Sequence, residues 1–453
     1  MINISLRQLA EWITCEIDDR YLDVMIHGVT IDSRHIEAGQ LFIPFNGEHV
    51  DGHRFSAQAL QDGAAATFFE KHSDVAAPTE GPVIYVENTL QALQQLAEAY
   101  LREVAPTVIA VTGSNGKTTT KDMLENTLAA NFKVQKTQGN YNNEIGMPLT
   151  ILALEPDTQI SILEMGMSGF GEIELLSTIA QPDFAVITNI GESHMQDLGS
   201  RAGIAKAKFE IIAGLKADGR LLFEGDEPLL AELVEEHAEL HATSIGTMSS
   251  NDVRCEVVAH DATGITFKLD DEGTYHIPVL GAHNMKNAAY AITVALALGV
   301  DRETIQQQLQ QLVLTGMRMQ KFTAQNGAVV INDAYNASPT SMKAAIDTIT
   351  QMTGRKILVF GDVLELGPQS ASLHGDVGRY LADKTIDVLF TFGEASEALY
   401  EAGEPFVGQA QHFTSKTELI ETLSAMLQSD DIVLVKGSRG MKLEEVVDAL
   451  INV

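Results

Sequence analysis

Positive charge is what this sequence has least of: 30 Lys and Arg face 62 Asp and Glu over 453 residues, a formal charge of −32. Nucleic-acid-binding surfaces work by neutralising phosphates with Lys and Arg, so no nucleic-acid partner is expected, and any phosphate ligand needs a local cationic pocket. Cysteine is also scarce. Cys15 and Cys255 lie far apart in no C-x-x-C arrangement, which excludes a disulfide framework or zinc site as an expectation and fits a reducing cytoplasm. No stretch approaches about 18 uninterrupted apolar residues, and MINISLRQLAEWITCEID lacks a basic segment followed by an apolar one, so neither membrane insertion nor a signal peptide is expected. Internal repeats and low-complexity tracts are absent.

Apolar residues make up 45% of the chain, enough for large cores, and at ~150 residues per domain the length suggests about three. From about 105 to 300, apolar runs alternate with helical patterns, the mark of a mostly parallel α/β sheet. Strands are expected at Val108 to Val111, Ile160 to Leu163, Phe184 to Thr188 and Leu221 to Phe223. Residues 253 to 280 read as antiparallel hairpins with Gly-containing turns, and HNMKNAAYAITVALALG as a helix. A second α/β series begins near 313 with VVIND, KILVFGD, VLFTFG and IVLVKGS; it is Rossmann-like but lacks the G-x-G-x-x-G opening of a dinucleotide site. The fold class expected is α/β in three domains: a mixed unit over 1–84, a central parallel-sheet unit over 85–312 with a linker helix over 85–105, and a Rossmann-like unit over 313–453.

The stretch VIAVTGSNGKTTTKDML runs from a strand through a tight loop into a helix. The strict phosphate-loop pattern G-x-x-x-x-G-K-[ST] fails, because Val111 stands at its first glycine. Gly113 and Gly116 still free the backbone to curl, so amides can converge on phosphate oxygens. Lys117 would place charge on the β and γ phosphates, and the Thr118 hydroxyl would ligand Mg²⁺. By itself the loop is equally a Gly-rich turn of any doubly wound sheet.

Glu164 in ISILEMG ends an apolar strand at the edge where α/β sheets bind ligands. It can complete a Mg²⁺ shell begun by Thr118, or be an ordinary solvated carboxylate. AVITNIGESHM brings Asn189 and His194 to the same edge. In RAGIAKAKFEIIAGL the apolar helical stripe runs through Ile204, Ile211, Ile212 and Leu215, and Lys208 interrupts it. Lys206 is rotated about 200° away, toward water. Two accounts of Lys208 stand: its head snorkels out of the stripe, or desolvation lowers its pKa and the neutral amine adds CO₂ to become a carbamate, a bidentate ligand for a hard metal.

The order TGSNGKTT, NYNNEIGMP, EMG, TNIGESH, AKAKFE, GAHNMKNAAYA, GMRM, NDAYNASP, GDVLELG and VKGSRG resembles the Mur ligases, ATP-dependent enzymes that build the peptidoglycan stem peptide. That family's phosphate loop is T-G-[ST]-x-G-K-[ST]-[ST], which accounts for the missing glycine. NDAYNASP and GDVLELG are similar to the branch that adds D-alanyl-D-alanine to UDP-N-acetylmuramoyl-tripeptide, and the D-N-P-R block of the sibling that adds diaminopimelate or lysine to the dipeptide is not found.

The resemblance implies ATP on Gly113, Ser114, Asn115, Gly116, Lys117, Thr118 and Thr119, with Asn284, Asn287, Arg318 and Asp333 completing the nucleotide site. It implies two Mg²⁺ ions, one on Thr118 and Glu164 and one on His194 and carbamylated Lys208, and it makes Lys117, His194, Lys208 and Arg318 the catalytic set. Substrates fall to Ser33, Arg34, Asp51 and His53 in the N-terminal unit, Asn140 and Asn143 in the central one, and Tyr335, Asn336, Lys436, Ser438 and Arg439 in the third. The implied protein is a cytoplasmic monomer. The rivals are the sibling ligase and a nucleotide-driven switch that ligates nothing.

Overall fold

The computed structural model describes residues 1–47, 50–261, 263–270 and 273–452. Glu48 and His49, in the turn-rich polar stretch before Phe55, and positions 262, 271 and 272 of the hairpin region lie outside the described residues, as does Val453.

TVIAVT, ISILE and FAVI are continuous apolar runs because both faces of their strands are covered. They are adjacent strands of a nine-stranded sheet, one strand in from its edge. Val134–Lys136, Ile160–Glu164, Thr107–Thr112, Phe184–Ile187, Arg220–Glu224, His241–Gly246 and Val253–Asp261 run parallel in that spatial order. Gly264–Leu269 and Gly273–Ile277 then continue antiparallel, as the hairpin reading expected. The four expected central strands are present, each displaced by no more than one residue at an end. Val134–Lys136 and His241–Gly246 were not expected, since VQK and HATSIG carry little apolar signal.

The C-terminal unit is a six-stranded sheet in the order Gln320–Thr323, Val329–Asn332, Asp431–Lys436, Arg355–Gly361, Val388–Phe392, Gln409–Phe413, parallel except for its first pair. Leu312 is buried in the central core and Met319 in the C-terminal one, so the seam falls between them. The N-terminal unit holds four short parallel strands, the last of which, Val83–Val86, crosses the expected division at 84. Helix Thr89–Val104 follows, capped by Asn88. The chain's first residues also reach the central unit: Ile2 N donates to Leu152 O at 2.8 Å, and Ile2 and Ile4 share a core with Leu152 and Leu163. Among the described residues no helix is long and apolar enough to cross a membrane.

This architecture aims the C-terminal strand ends of two parallel sheets at each other. Thr112, Glu164 and Ile187 end central strands, and Asn332, Gly361 and Lys436 end strands of the C-terminal sheet. Ligand sites of α/β sheets form at such edges.

Candidate active site

The phosphate loop is shaped by two glycines and one asparagine. Gly113 has φ +149° and Gly116 φ +81°; a Cβ on the first would stand 1.8 Å from Thr188 Oγ1, and one on the second 2.6 Å from Asn287 Oδ1. Asn189 braces the loop from the neighbouring strand end, its carbonyl accepting from Ser114 N at 3.0 Å and its Oδ1 from Asn115 N at 2.9 Å. Those two amides are therefore committed within the protein. The amides that open helix Lys117–Leu128 have no partner inside the helix, and Lys117, Thr118 and Thr119 border the cleft. Gly113→Ala combines a hard contact with a backbone angle L residues avoid. The expected result is a loss of at least about tenfold in kcat/KM with far-UV circular dichroism unchanged, measured as ADP release.

Thr118 is the hub of the site. Its hydroxyl donates to Glu164 Oε2 at 2.8 Å and accepts from Arg318 Nη2 at 2.8 Å, so one side chain joins the loop, the adjacent strand and the C-terminal unit. Glu164 Oε1 accepts from Asn142 Nδ2 at 2.9 Å, and Lys121 Nζ lies 3.5 Å from Oε2 while donating to Thr137 O. Burial pulls the Glu164 pKa up, but Lys117, Lys121, the Thr118 hydroxyl and the Asn142 amide together outweigh it and hold the carboxyl below its ordinary value. Lys117 donates to Gly113 O at 2.8 Å.

His194 and Lys208 face the same cleft. His194 adopts φ +63°. Its pKa is pushed down to about 4, first by burial and then by the charges of Lys208 and Lys117. Glu365 Oε2 approaches its Nδ1 to 2.9 Å without hydrogen-bond geometry. Lys208, on helix Arg201–Phe209, is 2% exposed, whereas Lys206 is exposed. The Lys208 side chain stays within the fold and borders the cleft, whereas Lys206 reaches the surface. Among the described residues no acceptor is bonded to its amine, and burial, with Lys117 nearby, drives its pKa well below the usual lysine value.

From the C-terminal unit, Arg318 stacks its guanidinium 4.2 Å above the Tyr335 ring. Asp333 accepts from Met319 N at 3.1 Å and from Lys436 Nζ at 2.7 Å, and Lys436 also donates to Asn336 O. Ser338 Oγ reaches Asn115 Oδ1 at 3.2 Å, and Glu192 accepts from Thr340 N and Oγ1. Asn287 donates to Asn284 and accepts from Thr120, buttressing the phosphate-loop helix.

Most of these groups line one cavity of about 1320 Å³ between the two sheets. Ser114 through Thr119, Asn143, Glu164, His194, Lys208, Asn284, Asn287, Arg318, Asp333, Tyr335, Asn336 and Lys436 all border it. Around it Asn115 Nδ2, His194 Nδ1 and Arg318 Nε are buried with no hydrogen-bond partner among the described residues, a donor-rich lining suited to an anionic ligand.

Other expected residues lie elsewhere. His53 is buried: its side chain is 1% exposed, with Nδ1 on Asp51 at 2.7 Å and Nε2 accepting from Glu70 N at 3.2 Å, contacts that lock the turn. Asp51 caps that turn and holds His53. Ser438 is buried and its hydroxyl accepts from Leu364 N, closing a loop of the C-terminal unit. Arg34 is paired with Asp32, and Arg439 with Glu444. Arg34 and Asn140 are exposed, and neither they nor Ser33 and Arg439 border the cavity. Asn142, Lys121, Glu192 and Glu365 were missed. Lys121 is legible in retrospect, four residues after Lys117 on the same helix face.

The donors fit a hard divalent cation at Thr118 and Glu164, which offer two oxygens to an ion that keeps several waters. At His194 the fit is conditional: a lysine amine is a poor ligand for such an ion, and only a carboxylate carried by Lys208 would complete an oxygen set there.

The chain matches the Mur ligase family catalytic domain over residues 25–101, the Mur ligase middle domain over 111–295 and the Mur ligase glutamate ligase domain over 317–439. It is 46% identical over 458 residues to the UDP-N-acetylmuramoyl-tripeptide–D-alanyl-D-alanine ligase of Bacillus subtilis (strain 168), covering 100% of this chain and 99% of that one. Among solved structures it is similar to MurF from Acinetobacter baumannii, with 32% identity, TM-score 0.91, and coverage of 100% of this chain and 99% of that one. It is also similar to MurF from Thermotoga maritima in complex with ADP, with 28% identity, TM-score 0.84, and coverage of 94% and 97%. On the phosphate-loop cleft and these full-length likenesses together, the chain belongs to the Mur ligase family.

Proposed function

We propose that the chain is an ATP-dependent ligase that joins D-alanyl-D-alanine to the terminal carboxylate of UDP-N-acetylmuramoyl-tripeptide. The observation that carries the chemistry is the chain of contacts Glu164–Thr118–Arg318, which sets an acid, a hydroxyl and a cation from two units around the phosphate loop. The substrates are supported by the name of the Bacillus relative, and the nucleotide by the ADP bound in the Thermotoga one.

The tripeptide carboxylate attacks the γ-phosphorus of ATP, ADP departs, and an acyl phosphate forms. The amine of D-alanyl-D-alanine then attacks the acyl carbon and inorganic phosphate leaves with one oxygen of the original carboxylate. Carboxylate and triphosphate are both anionic, so the first step needs positive charge held ready before they meet. Lys117 and Arg318 supply it, one from each wall of the cleft. Asn284, Asn287 and Asp333 border the nucleoside, while Tyr335 holds the Arg318 guanidinium flat.

Thr118 and Glu164 would hold one Mg²⁺, and His194 with a carbamate on Lys208 a second; bound there, the ions supply further neutralisation of phosphate charge. The carbamate forms when the neutral Lys208 amine adds CO₂ and releases a proton, and burial of that amine favours the neutral form. Ser33, Arg34 and Asp51 belong to the unit assigned to the UDP-sugar, with Asn140, Asn143, Asn336, Lys436 and Arg439 nearer the peptide end. We place the protein in the cytoplasm, where ATP and the nucleotide sugar are found, as a monomer whose cleft is complete within one chain.

Arg318→Ala is expected to lower kcat/KM for ATP by at least about thirtyfold, roughly 2 kcal/mol. Affinity for the UDP-muramoyl peptide should stay within about twofold by calorimetry, because the Arg318 guanidinium is bonded to Thr118 of the phosphate loop. Equal losses would point to misfolding. The substrate assignment is tested by measuring ADP release with each UDP-muramoyl peptide crossed against D-alanyl-D-alanine, diaminopimelate and lysine. Release that demands tripeptide and dipeptide together supports the reading. Release with UDP-muramoyl dipeptide and diaminopimelate or lysine would make it the sibling ligase, and release needing neither acceptor a switch.

A further inference from the structure

Helix Lys117–Leu128 carries the phosphate-loop residue Thr118 at its start, and four residues later, on the same face, it carries Asp122. Asp122 is 2% exposed. Its Oδ1 accepts from Lys136 Nζ at 2.7 Å, and its Oδ2 accepts from the backbone N–H of Thr315 at 2.8 Å. Thr315 lies at the seam between the central and C-terminal units, three residues before Arg318.

The backbone around Arg318 is held in an unfavourable shape. Met317 and Met319, the residues on either side of it, have φ +60° and +50°, a region that side chains other than glycine rarely occupy. Such a conformation persists only where neighbouring bonds over-determine it. Met317 N donates to Gln320 Oε1 at 3.0 Å, Met319 N donates to Asp333 Oδ1 at 3.1 Å, and Met317 O accepts from Tyr335 N at 3.3 Å, all within the C-terminal unit. Among the described residues, Asp122 is the side chain of the central unit that is bonded to this segment's backbone.

We infer that Asp122 is a positioning residue for the ligation: it pins the start of the Arg318 segment to the phosphate-loop helix, so that the guanidinium arrives at Thr118 in register. The inference rests on the ligase reading given above. The same helix then binds phosphate at its first turn and aims the arginine of the other unit from its second. Lys136 neutralises Asp122 and is itself also paired with Glu125 at 2.6 Å, so the ion pair is a support and the Thr315 bond is the device.

The test begins with wild-type ADP release in the presence of both acceptors; if that fails, the ligase reading falls before Asp122 is examined. Asp122→Ala is then expected to lower kcat at least about tenfold while the Kd for ADP changes less than about threefold. Asp122→Asn, whose amide oxygen can still accept from Thr315 N–H, should recover most of the loss. Lys136→Met, which removes the ion pair and leaves the Thr315 bond, should stay within about threefold of wild type. In the Arg318→Ala background, Asp122→Ala should cost less than about twofold, because its effect runs through the arginine. If Asp122→Ala does not fold, Asp122→Leu, which fills the space, replaces it in the cycle. Equal losses in both backgrounds, a kcat within about twofold of wild type, ADP affinity falling in step with kcat, or a Lys136→Met loss as large as that of Asp122→Ala would each overturn the proposal.

Discussion

Lys208→Ala is expected to lose at least about a thousandfold in kcat, roughly 4 kcal/mol of transition-state stabilisation, and to keep or slightly raise the melting temperature. The two outcomes follow from the same facts. The Lys208 amine is buried with no acceptor bonded to it among the described residues, and burial penalises its charged form. Deleting such a group removes a desolvation cost, so the fold should not suffer. The activity should suffer severely under the proposed reading, in which a carbamate on Lys208 would be the oxygen ligand that His194 cannot replace. Formate or acetate at tens of millimolar should enter the vacated space and return part of the rate. The same salts should do nothing for Lys206→Ala, whose side chain is exposed. Loss without carboxylate rescue, together with a carbon-13 spectrum showing no carbamate in wild type prepared with Mg²⁺, nucleotide and labelled bicarbonate, would refute the modification.

Lys117→Ala should be nearly as damaging, at least about a hundredfold in kcat/KM for ATP, roughly 2.7 kcal/mol. Lys117 stands at the start of the phosphate-loop helix and holds the Gly113 carbonyl at 2.8 Å, with Glu164 and Arg318 close enough to affect its charge. Its stem adds little to either core, so circular dichroism and the melting temperature should be unchanged. Retention of more than about a tenth of kcat/KM would mean a loss under ~1.4 kcal/mol, too little for a phosphate contact in a protected cleft.

How much of this was legible before the fold was known depends on how local each signal is. The central strands were readable because burial on both faces leaves continuous apolar runs such as VIAV and ISIL. Lys208 stood out because a charge in an apolar stripe is a local contradiction, and the structure resolves it by burying the side chain against the cleft. Val134–Lys136 escaped notice because it pairs at a sheet edge with half-exposed polar residues. His53 was hard to read for a different reason: a histidine beside an aspartate in a polar turn looks the same whether it meets a ligand or locks the turn, and the contact with the Glu70 amide on its second nitrogen comes from a strand 17 residues away. The contacts between units were beyond local reading. Asp122 meets a backbone 193 residues away and Glu192 a threonine 148 residues away, and neither pair leaves a trace in spacing or periodicity.

The central claim is that ATP activates the tripeptide as an acyl phosphate, and oxygen tracing tests it most directly. UDP-N-acetylmuramoyl-tripeptide labelled with ¹⁸O in both oxygens of its terminal carboxylate is turned over with ATP and D-alanyl-D-alanine, and the released phosphate is examined by ³¹P NMR. The account predicts one ¹⁸O in each inorganic phosphate and one retained in the new amide. Phosphate free of ¹⁸O while ADP is produced would contradict it.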